Sequence, residues 1–347
     1  MAIKKVFLTG ASGFIGSNLS TRLQSVETQF AAQRSPHSER PYPERPDSEC
    51  LRYEIASLQC DLLDYEKIVA ELSAFQPDII VHLAARTEVE KSFYEPASFT
   101  RVNFEGTVNL VEAARRACPK LELFLFSSTM ETYGWQPASD MVLDGTLSSE
   151  ALQAKIPVFD ESTPQKPNAP YAVAKVACEH YLQYAERSYG LPVCILRQTN
   201  TYGRTGTDFF VVERIIQQML TGKTCHLGYS KPWRNFLHID DLLDCYESIL
   251  SQTARARGQV FCTGPSNALS IEALAAQIAD MLEWDGEIIW NTRPERVGEI
   301  YFLNSTAAHA KDRLGWEPKI TLQEGLKRTI MEWRALRAES AEAHATL

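Results

Sequence analysis

Glycines at positions 10, 13 and 16 stand between a short apolar run, Lys5-Val-Phe-Leu-Thr9, and the helical pattern Ser17-Asn-Leu-Ser-Thr-Arg-Leu23. A strand must therefore turn at once into a helix. Gly10 permits the sharp turn, Gly13 removes a side chain where a phosphate group approaches backbone, and Gly16 lets the helix lie against the strand. The first amides of that helix and its positive dipole end face the loop, so the segment from Gly10 through Ser12 to Gly16 predicts a dinucleotide cradle.

Further apolar runs recur along the chain at Thr28 to Gln33, Glu54 to Cys60, Ile79 to Leu83, Leu121 to Ser127 and Val193 to Gln198. Their near-continuous hydrophobicity is what strands buried on both faces require. Helical spacing of apolar residues marks Tyr65 to Phe75, Ala97 to Ala117, Tyr171 to Tyr189 and Val211 to Thr221. This alternation predicts an α/β fold built on a doubly wound parallel sheet. Beyond about residue 200 the alternation weakens, and Phe209 to Lys223, Asp240 to Thr253, Ile271 to Leu282 and Leu322 to Leu336 read mainly as helices. The expected division is a dinucleotide-binding domain over 1–200, interrupted by an insertion at 135–167, and a smaller, mostly helical lobe over 201–347 that returns some strands to the first domain. The insertion reads equally as a lid over a substrate and as a plain connector.

Composition narrows the partners. A net charge of -9 with no basic tract argues against nucleic acid, which needs clustered Lys and Arg. No charged leader followed by a long apolar run opens the chain, and no eighteen apolar residues stand together, so a cytoplasmic protein without a membrane span is expected. The eight cysteines form no C-x-x-C pair and no ligand spacing with histidine, which predicts free thiols and no metal site.

Tyr171 and Lys175 lie four residues apart at the start of a helical pattern, so their side chains share one face. The ammonium group can stabilise a phenolate and also reach ribose hydroxyls. A phenol so tuned is a general base for a sugar hydroxyl whose carbon gives up hydride. The run Phe124-Leu-Phe-Ser-Ser-Thr-Met-Glu-Thr-Tyr-Gly134 ends an apolar strand in hydroxyls, where doubly wound sheets bind ligands. Thr129 is the candidate that holds the substrate oxygen beside Tyr171.

The G-x-x-G-x-x-G spacing and the Tyr/Lys pair resemble the short-chain dehydrogenase/reductase superfamily, and Gly13-Phe14-Ile15-Gly16 is similar to its extended, Rossmann-fold branch acting on nucleotide sugars. The resemblance extends through Cys60-Asp61-Leu62, His82-Leu-Ala84-Ala85, Val102-Asn103, Leu196-Arg-Gln-Thr-Asn200, Arg234-Asn-Phe-Leu-His-Ile-Asp-Asp241 and Leu314-Gly-Trp-Glu-Pro318. It implies that Asp61 and Leu62 meet the adenine and that Ala84, Ala85 and Asn103 line the cofactor. It also implies that Asn200 and Arg234 hold a sugar-nucleotide diphosphate with help from Arg293 or Arg296, a role suited to guanidinium forks. A homodimer through the helices at Ala97 to Ala117 and Tyr171 to Tyr189 is a further implication.

Residues 129 to 131 bear on the reaction. Family dehydratases that remove water across C5 and C6 carry Thr, then an acidic or small polar residue, then Glu; this chain has Thr129, Met130 and Glu131. Glu131 is accordingly the candidate base for the C5 proton, while the Met130 thioether cannot serve as an acid. The expectation is a nucleotide-diphospho-sugar enzyme working through a 4-keto intermediate, a 4,6-dehydratase first, with a 4-epimerase or 4-ketoreductase as alternatives and a non-catalytic dinucleotide sensor last. A related decarboxylase carries Arg where this chain has Leu303. At the expected end of the second strand stand Arg34 and Ser35 instead of an acidic residue, which favours NADP over NAD through contacts to a 2′-phosphate.

Overall fold

In the computed structural model, which describes residues 3–32, 52–135, 156–293 and 298–345, the run before the glycines forms β1 (Ile3–Thr9). It pairs in parallel with β2 (Arg52–Ser57) on one side and β3 (Ile79–His82) on the other, and β3 pairs in parallel with β4 (Leu123–Thr129). With β5 (Val193–Gln198) and a strand at Gln259–Cys262, the sheet has six strands in the order Gln259–Cys262, β5, β4, β3, β1, β2. The reversal of direction beside β1 is the doubly wound pattern, with its crevice at the carboxyl ends of β1 and β3.

One expected strand is absent. Thr28 to Ala32 continues α1 (Phe14–Ala32), and the strand beside β1 is Arg52–Ser57. No glycine or proline stands between Gly16 and Pro36, and Gln, Glu and Ala in that stretch all favour helix, so nothing in the local sequence stops it. Arg34 and Ser35 lie outside the described residues, and the preference for NADP that rested on their following a strand loses its premise. The expected helix from Ala97 to Ala117 is instead composite: Pro96–Thr100, a π-helical turn at Arg101–Glu105, and Gly106–Ala117.

The chain divides into two compact units. The first comprises Met1–Ser128, Ala174–Leu196 and Tyr246–Val260; the second comprises Thr129–Val173, Arg197–Cys245 and Phe261–Leu347. In the first, Phe7, Ile80, Phe124, Phe126, Val193 and Ile195 present one sheet face to α2 (Tyr65–Phe75), Gly106–Ala117 and the helix through Cys178 and Leu182. Alternate residues Val6, Leu8, Ile79, Val81, Leu123 and Leu125 are also fully buried, so both faces are covered.

The second unit packs helices Val211–Thr221, Ile271–Leu282 and Leu322–Ala345 around Tyr202, Ile215, Ile216, Leu274 and Leu326. It also holds strands of two or three residues, such as Asn200–Tyr202 paired with Phe236–His238, which are too short to carry a readable period. Residues 136–155 of the expected insertion lie outside the described residues, but its later part is tied down. Phe159 donates to Asn304 O at 2.7 Å, Thr306 donates to Phe159 O at 3.0 Å, and Lys166 donates to Thr132 O at 3.0 Å. Among the described residues no helix is long and apolar enough to cross a membrane, and no cluster of His, Cys, Asp or Glu could hold a metal ion.

Candidate functional site

The three glycines of the loop are required for different reasons. Gly10 has φ of +71°, and a Cβ there would lie 2.7 Å from Ala84 N; a Cβ at Gly16 would lie 2.2 Å from Gly10 O. Both positions are crowded by the protein's own backbone. Gly13, by contrast, is exposed, and a Cβ there would meet only Gly10 O, at 3.3 Å. Space is therefore left over Gly13, beside the first amides of α1, which have no partner within the helix. Ser12 is exposed, and Phe14 and Ile15 are half-buried beside it.

Gly16→Ala is therefore expected to destabilise the fold by about 2 kcal/mol or more, because the obstructing atom is backbone. Gly13→Ala should keep the melting temperature and weaken NADH or NADPH binding by about tenfold, a loss of about 1.4 kcal/mol, in a fluorescence titration. Equal thermal losses in the two variants would contradict this division of roles.

A buried polar chain sets the loop after β3. Ala84 N–H donates to Thr9 Oγ1 at 3.1 Å, Thr9 Oγ1 lies 2.6 Å from His82 Nδ1, His82 Nε2 lies 2.9 Å from Thr107 Oγ1, and Thr107 donates to Asn103 O at 2.5 Å. Because Thr107 gives its proton to a carbonyl, it must accept from Nε2–H, and Nδ1 must accept from Thr9. Burial, with the Lys175 charge adding to it, pushes His82 down to about 3, so the ring is neutral and this tautomer is fixed. The Asn103 side chain is engaged by backbone: Arg86 N–H donates to Oδ1 at 2.8 Å and Nδ2 donates to Arg86 O at 2.9 Å. Asn103 thus clamps the Ala84 to Arg86 segment, and Ala84 and Ala85 are half-buried along it.

Asp61 is exposed, and one of its oxygens accepts from Leu63 N at 2.9 Å. Leu62 is buried, with its carbonyl accepting from Asn109 Nδ2 at 3.0 Å, so the helix Gly106–Ala117 fixes this turn at the sheet's edge.

The helix Pro170–Tyr189 carries Tyr171 and Lys175, and its register sets both on one face. Lys175 is 4 % exposed and donates to Ser127 O at 2.6 Å, with its ammonium 4.5 Å from the Phe126 ring centroid. Burial lowers it to about 8, against the opposing pull of Cys178 and Glu179. Tyr171 is 7 % exposed. At the end of β4, Thr129 Oγ1 accepts from Glu131 N–H at 3.2 Å and caps the turn Met130–Tyr133, leaving the hydroxyl proton available to donate. Glu131 is half-buried on that turn. Met130 turns away into an apolar cluster with Tyr133, Phe159, Cys262, Ile300 and Leu303, and its sulfur accepts from Thr199 Oγ1 at 2.8 Å.

Among the expected diphosphate ligands, Asn200 donates to Asn235 O at 3.3 Å, and Arg234 is paired with Glu299 at 2.9 Å, both side chains 11 % exposed. Arg293 is exposed, and Arg296 lies outside the described residues. Sequence reasoning passed over Glu299, Arg197 and Glu179. Arg197 donates to Tyr133 Oη at 3.2 Å and to Glu161 O at 3.3 Å. Nothing but a charge inside an apolar strand run hinted at it.

A family model described as GDP-mannose 4,6 dehydratase matches residues 7–329. The dTDP-D-glucose 4,6-dehydratase of Homo sapiens is 29 % identical over 342 residues, covering 95 % of this chain and 89 % of that protein. The GDP-6-deoxy-D-mannose reductase of Pseudomonas aeruginosa is 27 % identical over 338 residues, covering 96 % of this chain and 98 % of the other. Among solved structures, the UDP-glucose 4-epimerase of Thermus thermophilus, in complex with NAD, superposes with a TM-score of 0.76 at 23 % identity, covering 95 % of this chain and 99 % of that one.

Proposed function

The chain belongs to the GDP-mannose 4,6 dehydratase family, and from that premise we propose that it removes water from a nucleotide-diphospho-sugar across C5 and C6 by way of a 4-keto intermediate. It is an NAD(P)-dependent enzyme of the extended short-chain dehydrogenase/reductase type, and NAD and NADP both suit the open glycine loop. The observation that carries the dehydratase reading is Glu131, a half-buried carboxylate on the capped turn at the end of β4, beside a Met130 that is turned into the core.

In this mechanism Tyr171 takes the proton of the C4 hydroxyl, Lys175 holds the phenolate charge, and Thr129 donates a hydrogen bond to the same oxygen. A nicotinamide dinucleotide held at the loop of Gly10, Gly13 and Gly16 would supply the hydride acceptor for C4 and the hydride donor for C6. The ketone acidifies C5–H; Glu131 on the turn removes that proton and passes it to the departing C6 hydroxyl, which leaves as water. As hydride reaches C6 a proton returns to C5, balanced by release of the one Tyr171 took from the C4 hydroxyl. Asn200 and Arg234 receive the diphosphate, Arg234 sharing its fork with Glu299.

Incubating the protein with UDP-, dTDP- and GDP-sugars without added reductant, followed by mass spectrometry, tests this. Loss of water supports the dehydratase. An isobaric product would make it a 4-epimerase, and turnover only after NADPH is added would make it a 4-ketoreductase.

We assign the helices Gly106–Ala117 and Pro170–Tyr189 to contact with a second copy. Tyr184 and Tyr189 are 42 % and 44 % exposed there, with Arg115 4.2 Å from the Tyr189 ring centroid. Light scattering should return twice the chain mass. The seven described cysteines are free thiols, which suits a cytoplasmic setting.

A further inference from the structure

We propose that Glu179 is a positioning residue for Lys175: its carboxylate, seated one helical turn beyond the ammonium and fastened to β4 through Ser128, keeps that lysine charged and aimed at the end of the strand. The inference rests on the reading of Tyr171 and Lys175 as the catalytic pair.

Three placements support it. Glu179 is 1 % exposed, and a carboxylate is buried so completely only where partners hold it. It accepts the hydroxyl proton of Ser128, which is itself 3 % exposed, while Lys175 donates to the carbonyl of the neighbouring Ser127. Two residues of one helix, four apart, thus grip two consecutive residues of β4, and the next residue in the chain is Thr129. A shift of the helix along the strand would break both contacts together.

The electrostatics point the same way. Cys178 and Glu179 from its own helix favour the charged form of Lys175, His82 from β3 is neutral, and Tyr171, whose phenolate it serves, lies one turn earlier on the same helix. Burial works against the ammonium and brings it to about 8, within reach of ordinary working pH. Removing the Glu179 charge leaves burial less opposed, so the ammonium is lost at lower pH. A neutral Lys175 no longer stabilises the phenolate that opens the reaction.

The test is the pH dependence of turnover, measured with whichever sugar nucleotide the wild-type chain converts. In Glu179→Gln, which keeps the shape and an acceptor for Ser128, the alkaline limb of kcat should move down by about one pH unit, so that kcat at pH 8 falls about fivefold and KM changes less than about twofold. Activity near pH 6.5 should recover to within about twofold of wild type, because there both lysines are mostly charged. Glu179→Asp, which keeps the charge, should restore the limb. If Glu179→Gln does not fold, Ser128→Ala carries the test, and its limb should move in the same direction because the carboxylate loses the donor that holds it.

A folded Glu179→Gln with an unmoved limb, or with a loss equal at every pH, overturns the proposal; so does an unmoved limb in Ser128→Ala when only that variant folds. Failure of the underlying reading looks different: Tyr171→Phe or Lys175→Met would then turn over as wild type does.

Discussion

Tyr171→Phe is expected to lower turnover by about a thousandfold while leaving dinucleotide binding in place. The exchange removes one oxygen from a side chain that is 7 % exposed, so the ring keeps its packing and the helix Pro170–Tyr189 keeps its register. What disappears is the group that accepts the C4 hydroxyl proton as hydride leaves. Lys175 remains charged and bonded to Ser127 O, and the glycine loop is untouched, so NADH or NADPH fluorescence should report unchanged affinity. Rapid-quench measurement of 4-keto product checks the rate. Wild-type turnover in this variant would remove the phenol from the chemistry and leave the chain a dinucleotide-binding protein that keeps the fold without the reaction.

The second large effect is expected in Glu131→Gln, where overall loss of water should fall by about a hundredfold or more, as befits removal of a positioned base. The two half-reactions should separate. Oxidation at C4 relies on Tyr171 and persists, seen as transient absorbance of reduced nicotinamide, whereas exchange of the C5 hydrogen with deuterated solvent stops. The turn itself should survive, because Thr129 Oγ1 caps it through the backbone N–H of residue 131 and not through its side chain. Met130 offers no substitute, since its sulfur lies in the apolar cluster against Thr199. Undiminished deuterium exchange would exclude Glu131 from the proton transfer and return the 4-epimerase to the front.

Several parts of the proposed site are local, so their arrangement can be read along the chain. The placing of Gly10 and Gly16 between a strand and a helix is a statement about backbone crowding, and a Cβ at Gly16 would indeed sit 2.2 Å from the Gly10 carbonyl oxygen. Likewise the four-residue interval between Tyr171 and Lys175 fixes a shared helical face wherever that helix lies. The stretch Thr28 to Ala32 failed for the opposite reason. Its apolar residues suit a strand about as well as a helix, and only the absence of a stop signal and the partner chosen by β1 decide between them.

Periodicity and short-range spacing thus determined the parallel α/β architecture and the strand–glycine–helix turn and singled out the Tyr171 and Lys175 pair, since each depends on neighbours within a few positions, whereas Glu131 was singled out by the resemblance to family dehydratases. Tertiary structure decided the pairings that span the chain. Ser128 and Glu179 are 51 residues apart, Arg234 and Glu299 are 65, and Thr9 and His82 are 73. Such contacts follow from how strands order themselves in a sheet and which helix covers them. A hydroxyl, a carboxylate or a guanidinium acquires its partner, its protonation state and its aim only once that packing exists.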